Sequence, residues 1–139
     1  MKNKNFLILL LFIPILTFSQ DKFRFPIYPG CEKLKTNEEL EKCFSDKLWE
    51  DLRKTKNFTE LENEVDSELT LYFTIMKNMK ILLFSYAKGS NPEISTKYLE
   101  RIQNILDNYA TEGLYIRPAM TNGKYENYRY ILKVNPFER

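Results

Sequence analysis

Histidine is absent from this 139-residue chain, and glycine (four), cysteine (two) and tryptophan (one) are scarce. Without histidine there is no Ser-His or Cys-His pair and no imidazole-ligated metal, so the commonest general base and metal ligand are excluded. Four glycines cannot furnish the Gly-rich phosphate loops of nucleotide enzymes. Ser85-Tyr86-Ala87-Lys88 has the Ser-x-x-Lys spacing of penicillin-recognising enzymes. Here, however, it closes a predicted strand, not the start of a helix, and its companion motifs are missing. The acid pairs Glu38-Glu39, Glu60/Glu62 and Glu64/Asp66 lie in the most polar stretches and read as solvated surface. The sequence is thus expected to encode no enzyme, cofactor site or metal site. What is present is 43% apolar residues, enough for the core of one small domain.

The formal charge of +2 comes from 21 bases and 19 acids, and its distribution matters more than its size. Residues 1–19 carry Lys2 and Lys4, then the apolar run Phe6 to Phe18, then Thr17 and Ser19 at −3 and −1 of a cut before Gln20. This is the three-part pattern of a secretory signal peptide. As an uncleaved anchor the 13-residue run would span only about 20 Å, short of a hydrocarbon core of ~30 Å. Cleavage removes two lysines and no acids; 21 less 2 leaves 19 bases against 19 acids. A neutral mature chain gives no reason to expect nucleic acid as a partner. The expected location is periplasmic or secreted, with no stable membrane span after cleavage.

Export delivers Cys31 and Cys43 to an oxidising compartment, where a disulfide is the default, with free or redox thiols as the alternative. The segment 20–36 holds two prolines and a Pro-Gly pair and reads as an extended entry. Thr36-Asn37-Glu38-Glu39 matches a capping box, predicting a helix to about Arg53 with Leu40, Cys43, Phe44, Leu48 and Leu52 on one face. Trp49 lies off that stripe, as a lid over the core edge or else a ligand anchor. Residues 54–66 are polar and ambiguous; Asn57-Phe58-Thr59 there fits the glycosylation sequon.

Two strands are predicted next, Ser67 to Met76 and Met79 to Ala87, joined by a tight Lys77-Asn78 turn. Asn91-Pro92 opens a second helix carrying Ile94, Tyr98, Ile102, Ile105, Leu106 and Tyr109 on one stripe, stopped by Gly113. After Asn122-Gly123 a last strand covers about Glu126–Val134. The expected fold class is α+β, two helices on one face of a three-stranded, largely antiparallel sheet, in the order helix-strand-strand-helix-strand. A tail, 136–139, follows the 37–135 domain.

Three stretches in this order resemble the TonB C-terminal domain, particularly its Bacteroidetes-type versions. The first is Phe25-Pro26-Ile27-Tyr28-Pro29-Gly30-Cys31-Glu32 followed by Glu41-Lys42-Cys43-Phe44-Ser45. The second is the hairpin followed by Asn91-Pro92-Glu93, and the third is Ile116-Arg117-Pro118-Ala119-Met120-Thr121-Asn122-Gly123-Lys124. The chain departs from the pattern at Lys56-Asn57-Phe58-Thr59, where Tyr-Pro is usual, and at Ile116, where tryptophan is common. Asp66-Ser67-Glu68 also replaces a glycine, and Lys77-Asn78 an Asp-Gly type turn. A full TonB has an uncleaved anchor and a long Pro-rich linker. A chain with a cleaved leader and no such linker is not expected to couple an inner-membrane motor to an outer-membrane receptor.

The resemblance implies peptide binding by strand addition along the last strand, Asn127, Tyr128, Arg129, Tyr130, Ile131, Leu132, Lys133 and Val134. Alternation would turn Tyr128 and Tyr130 inward and Arg129 and Lys133 outward, toward an acidic peptide; equally, those charges could simply guard an edge strand. The implied partner is a peptide or protein of the cell envelope, such as a TonB-dependent transporter. Self-pairing of two copies along this edge is a further option. The rival reading is a small periplasmic carrier of an apolar ligand between sheet and helices, with Tyr98, Tyr109 and Trp49 near the mouth. An unrecognised hydrolase is the least favoured.

Overall fold

Helix nucleation is set by side chains that take up the first orphan N–H groups, and both long helices begin this way. A computed structural model describes residues 22–137; the leader and its cleavage site lie outside the described residues. A short strand β1 (Phe23–Arg24) precedes α1 (Asn37–Lys54). The Thr36 hydroxyl accepts from the Glu39 N–H at 3.2 Å, and the Glu39 carboxylate accepts from the Thr36 N–H at 3.3 Å, the reciprocal box read from sequence. Leu40, Phe44, Leu48 and Leu52 are fully buried on one face of α1. Asn37 ties the entry to this helix: its Oδ1 accepts from the Phe25 N–H and its Nδ2 donates to the Phe23 carbonyl.

The polar stretch after α1, ambiguous in sequence, holds a third helix, α2 (Phe58–Glu64). Seven residues are too few for an amphipathic period to declare itself, yet Phe58 and Leu61 are buried. Tertiary contacts place it: the Arg101 guanidinium donates to Thr55 Oγ1 and to the Lys56 carbonyl, both at 2.6 Å.

β2 (Leu69–Ile75) and β3 (Ile81–Tyr86) form the expected hairpin. Leu69, Leu71, Phe73 and Ile75 point into the core, while Thr70, Tyr72 and Thr74 are half-buried on the other face. The turn differs from the two-residue expectation. Met76 and Lys80 close a three-residue loop, with Met79 in the left-handed region at φ 65° and its N–H donating to the Met76 carbonyl. No glycine is available here to supply that conformation in a two-residue turn, so the longer loop takes its place.

α3 (Pro92–Thr111) starts at Asn91, whose side chain accepts from the Glu93 and Ile94 N–H groups. Ile94, Tyr98, Ile102, Ile105 and Leu106 are buried as the stripe requires; Leu99 joins them. The chain then forms β4 (Ala119–Thr121) and β5 (Lys124–Glu126), joined by Asn122-Gly123 with both residues at positive φ, 52° and 79°. An Asn-Gly pair at those angles makes the tight hairpin turn that matches strand twist. β6 (Tyr128–Val134) ends the fold.

The main sheet is antiparallel in the order β3-β2-β6, and a second small sheet, β1-β4-β5, was not anticipated because its strands are only two or three residues long. α1 and α3 lie on the same face of the main sheet, giving the two-layer α+β arrangement expected. Cys31 and Cys43 form a disulfide with Cα atoms 6.1 Å apart, joining the entry segment to α1. Among the described residues no helix is long and apolar enough to cross a membrane.

Candidate functional site

β6 pairs with β2 through seven residues, from Leu69 opposite Val134 to Ile75 opposite Tyr128. Among the described residues no strand pairs with its other side. Tyr130, Leu132 and Val134 are buried and Tyr128 is half-buried, whereas Arg129, Ile131 and Lys133 are exposed, Ile131 to 53%. This alternation is the one read from sequence. Asn127 differs from expectation in lying just before the strand, where its Oδ1 accepts from the Lys77 N–H at 2.8 Å and locks the hairpin turn to the start of β6.

The outward charges are lightly held. The Arg129 guanidinium stands 4.1 Å from the centre of the Tyr72 ring, a cation–π contact worth about 0.5–1 kcal/mol at an exposed site. Lys133 Nζ is 3.9 Å from a Glu68 carboxylate oxygen, both side chains mostly exposed. Such pairs are screened and easily exchanged for another partner.

α1 runs beneath the edge. Phe44 stacks on Tyr130 with ring centroids 4.4 Å apart. Burial pushes the Tyr130 phenol up to about 12, and the nearby Glu41 carboxylate adds to the shift. Ser45, one turn further along α1, hydrogen-bonds the same phenol. At the far end Trp49 and Arg53 of α1 share a cleft of about 170 Å³ with Val65, Lys133, Val134 and Pro136. Glu41, Ser45, Trp49 and Arg53 are spaced by four, so they form one row along the helix. Leu40, Phe44, Leu48 and Leu52 face the core beside that row, and Asp51 on the opposite flank points toward α3. The row therefore borders the unpaired side of β6. At the Tyr128 end, Phe23 and Phe25 lie 6.0 and 5.2 Å from its ring.

The aromatics proposed for a ligand mouth do not converge. Tyr98 is fully buried and packs edge-on against Phe58. Trp49 borders β6, with the Arg53 guanidinium 5.8 Å from its ring centre. Tyr109 lines a different groove of about 260 Å³ with Met79, Ile81, Leu106, Leu114 and Tyr115.

A cluster that sequence reasoning missed sits on the other flank of α1. Tyr28 and Tyr109 both donate to Asp51 Oδ2, at 2.9 and 2.7 Å. Tyr28 is fully buried, and burial together with the Asp51 charge raises both phenol pKa values well above the ordinary tyrosine range. The three residues are up to 81 positions apart, from Tyr28 to Tyr109, so no local pattern signals the cluster. It joins entry segment, α1 and α3. Comparisons with protein-family models, curated proteins and solved structures give no match.

Proposed function

We propose that this chain is an exported, non-catalytic binding module of the TonB C-terminal type, which takes an extended segment of an envelope protein as a fourth strand beside β6. The observation that carries the reading is the unpaired side of β6, a seven-residue strand at the end of the sheet. A row of unsatisfied N–H and C=O groups is a template for another chain, and main-chain hydrogen bonds supply affinity in such additions. The partner would be a peptide or protein of the outer-membrane or periplasmic envelope, such as a TonB-dependent transporter, and the location periplasmic or secreted.

The carrier reading is supported by the apolar groove between α3 and the start of β3. Its volume of about 260 Å³, and that of a second groove of about 320 Å³ along Phe84, Tyr86 and Leu99, lie at the very bottom of the ~300–1,000 Å³ typical of small-molecule sites, so strand addition is preferred. The test is a pair of extended peptides, one unmodified and one N-methylated at alternate amides. Binding that disappears on N-methylation supports strand addition; binding indifferent to it contradicts the reading. A retained apolar molecule seen by native mass spectrometry would favour the carrier.

A further inference from the structure

Strand addition fixes which side chains of the incoming segment meet which residues of β6, because residues directly opposite share a face of the sheet. On the outer face those residues are Arg129, Ile131 and Lys133, so the edge presents base, apolar, base at alternate positions. On the inner face the incoming side chains would lie over the α1 row, whose middle members are Ser45 and Trp49, both half-buried and uncharged. Glu41 and Arg53 stand at the two ends of that row.

A second copy of this chain fits the edge poorly. In the antiparallel register that pairs both strands along their whole length, Arg129 of one copy faces Lys133 of the other, twice. Like charges directly opposite are destabilising. Opposite charge removes the conflict, and neither present partner prevents it. Arg129 rests on an aromatic ring and Lys133 is 3.9 Å from the exposed Glu68.

We infer that the segment received by β6 is an acidic amphipathic strand: carboxylates on its outer face opposite Arg129 and Lys133, an apolar residue between them opposite Ile131, and small or apolar side chains on the face turned to Ser45 and Trp49. This rests on strand addition at β6 and specifies its occupant. Each charge pair is worth a fraction of a kcal/mol up to about 1 kcal/mol, so two of them give discrimination approaching tenfold.

Three synthetic peptides test it on the disulfide-bonded protein. Each is a short threonine-rich strand with a central valine. Glutamate, threonine or lysine occupies the positions two residues to either side of it. Trp49 is the only tryptophan, so its fluorescence reports binding, and backbone amide shifts of residues 128–134 locate it. The glutamate peptide is expected to bind several-fold to tenfold tighter than the threonine peptide, with lysine weakest and the differences shrinking in high salt. In the protein carrying Arg129→Gln and Lys133→Gln the glutamate preference should vanish, so that the glutamate and threonine peptides bind alike. With Arg129→Glu and Lys133→Glu the lysine peptide should bind best. Equal affinity for all three peptides would overturn the acidic occupant and leave strand addition standing. If none of them shifts the 128–134 amides, strand addition at β6 fails as well.

Discussion

Phe44 of α1 and Tyr130 of β6 stack with ring centroids 4.4 Å apart and planes inclined by 25°. This contact seats the helix under the unpaired strand, and it is dry enough to raise the Tyr130 phenol to about 12. Phe73 of the central strand completes the stack, 5.1 Å from Tyr130 and 6.5 Å from Phe44.

That shift makes stability fall at alkaline pH. Tyr130 ionises near 10 when unfolded and near 12 when folded, so its contribution is whole below pH 10 and is lost between pH 10 and 12. The loss is on the order of 2 kcal/mol. Tyr28 and Tyr109 are shifted the same way and add to the slope. Urea unfolding between pH 8 and 12 should show the decline, and Tyr130→Phe should make it shallower.

Asp51 holds two phenols with one oxygen. Asp51→Ala would leave the buried Tyr28 hydroxyl without its acceptor and is expected to cost about 2–3 kcal/mol. Tyr109→Phe, at a partly exposed position, should cost about 1 kcal/mol. Chemical denaturation of the two variants checks the ranking; a Tyr109→Phe loss larger than that of Asp51→Ala would contradict it.

Met79 occupies the left-handed region at φ 65° with its side chain 42% exposed. A non-glycine residue is strained there, by roughly 1 kcal/mol. Met79→Gly is therefore expected to raise the melting temperature by a few degrees, whereas Met79→Val should lower it.

Reduction of Cys31–Cys43 frees a loop of twelve intervening steps, worth about 3 kcal/mol in the chain-entropy model. The unfolding midpoint in urea should drop when a reductant is added, with little change in a Cys31→Ala/Cys43→Ala protein, which begins at the lower value.

The parts of the fold written in local pattern were legible in the sequence. Thr36 to Glu39 announced α1, Asn91-Pro92 announced α3, and the alternation in β2 and β6 matched the observed faces residue by residue. The bridge between Cys31 and Cys43 followed from the predicted compartment. α2 was not legible because seven polar-rich residues owe their helix to Arg101 and to two buried apolar side chains. The β1-β4-β5 sheet was missed, although Asn122-Gly123 is a strong hairpin signal, since its strands are too short to alternate. At the site, the outward set of Arg129, Ile131 and Lys133 was readable. The bordering row from Glu41 to Arg53 was not, because only packing decides which flank of α1 lies beside β6.

Amide hydrogen exchange probes the unpaired side of β6 itself. In the free protein, alternate amides between 128 and 134 should exchange quickly, those in between being held by β2. With the glutamate peptide bound at saturation, the fast set should become protected by tenfold or more, with little change in β3. Protection that appears elsewhere while the fast amides of β6 stay fast would rule out strand addition at β6.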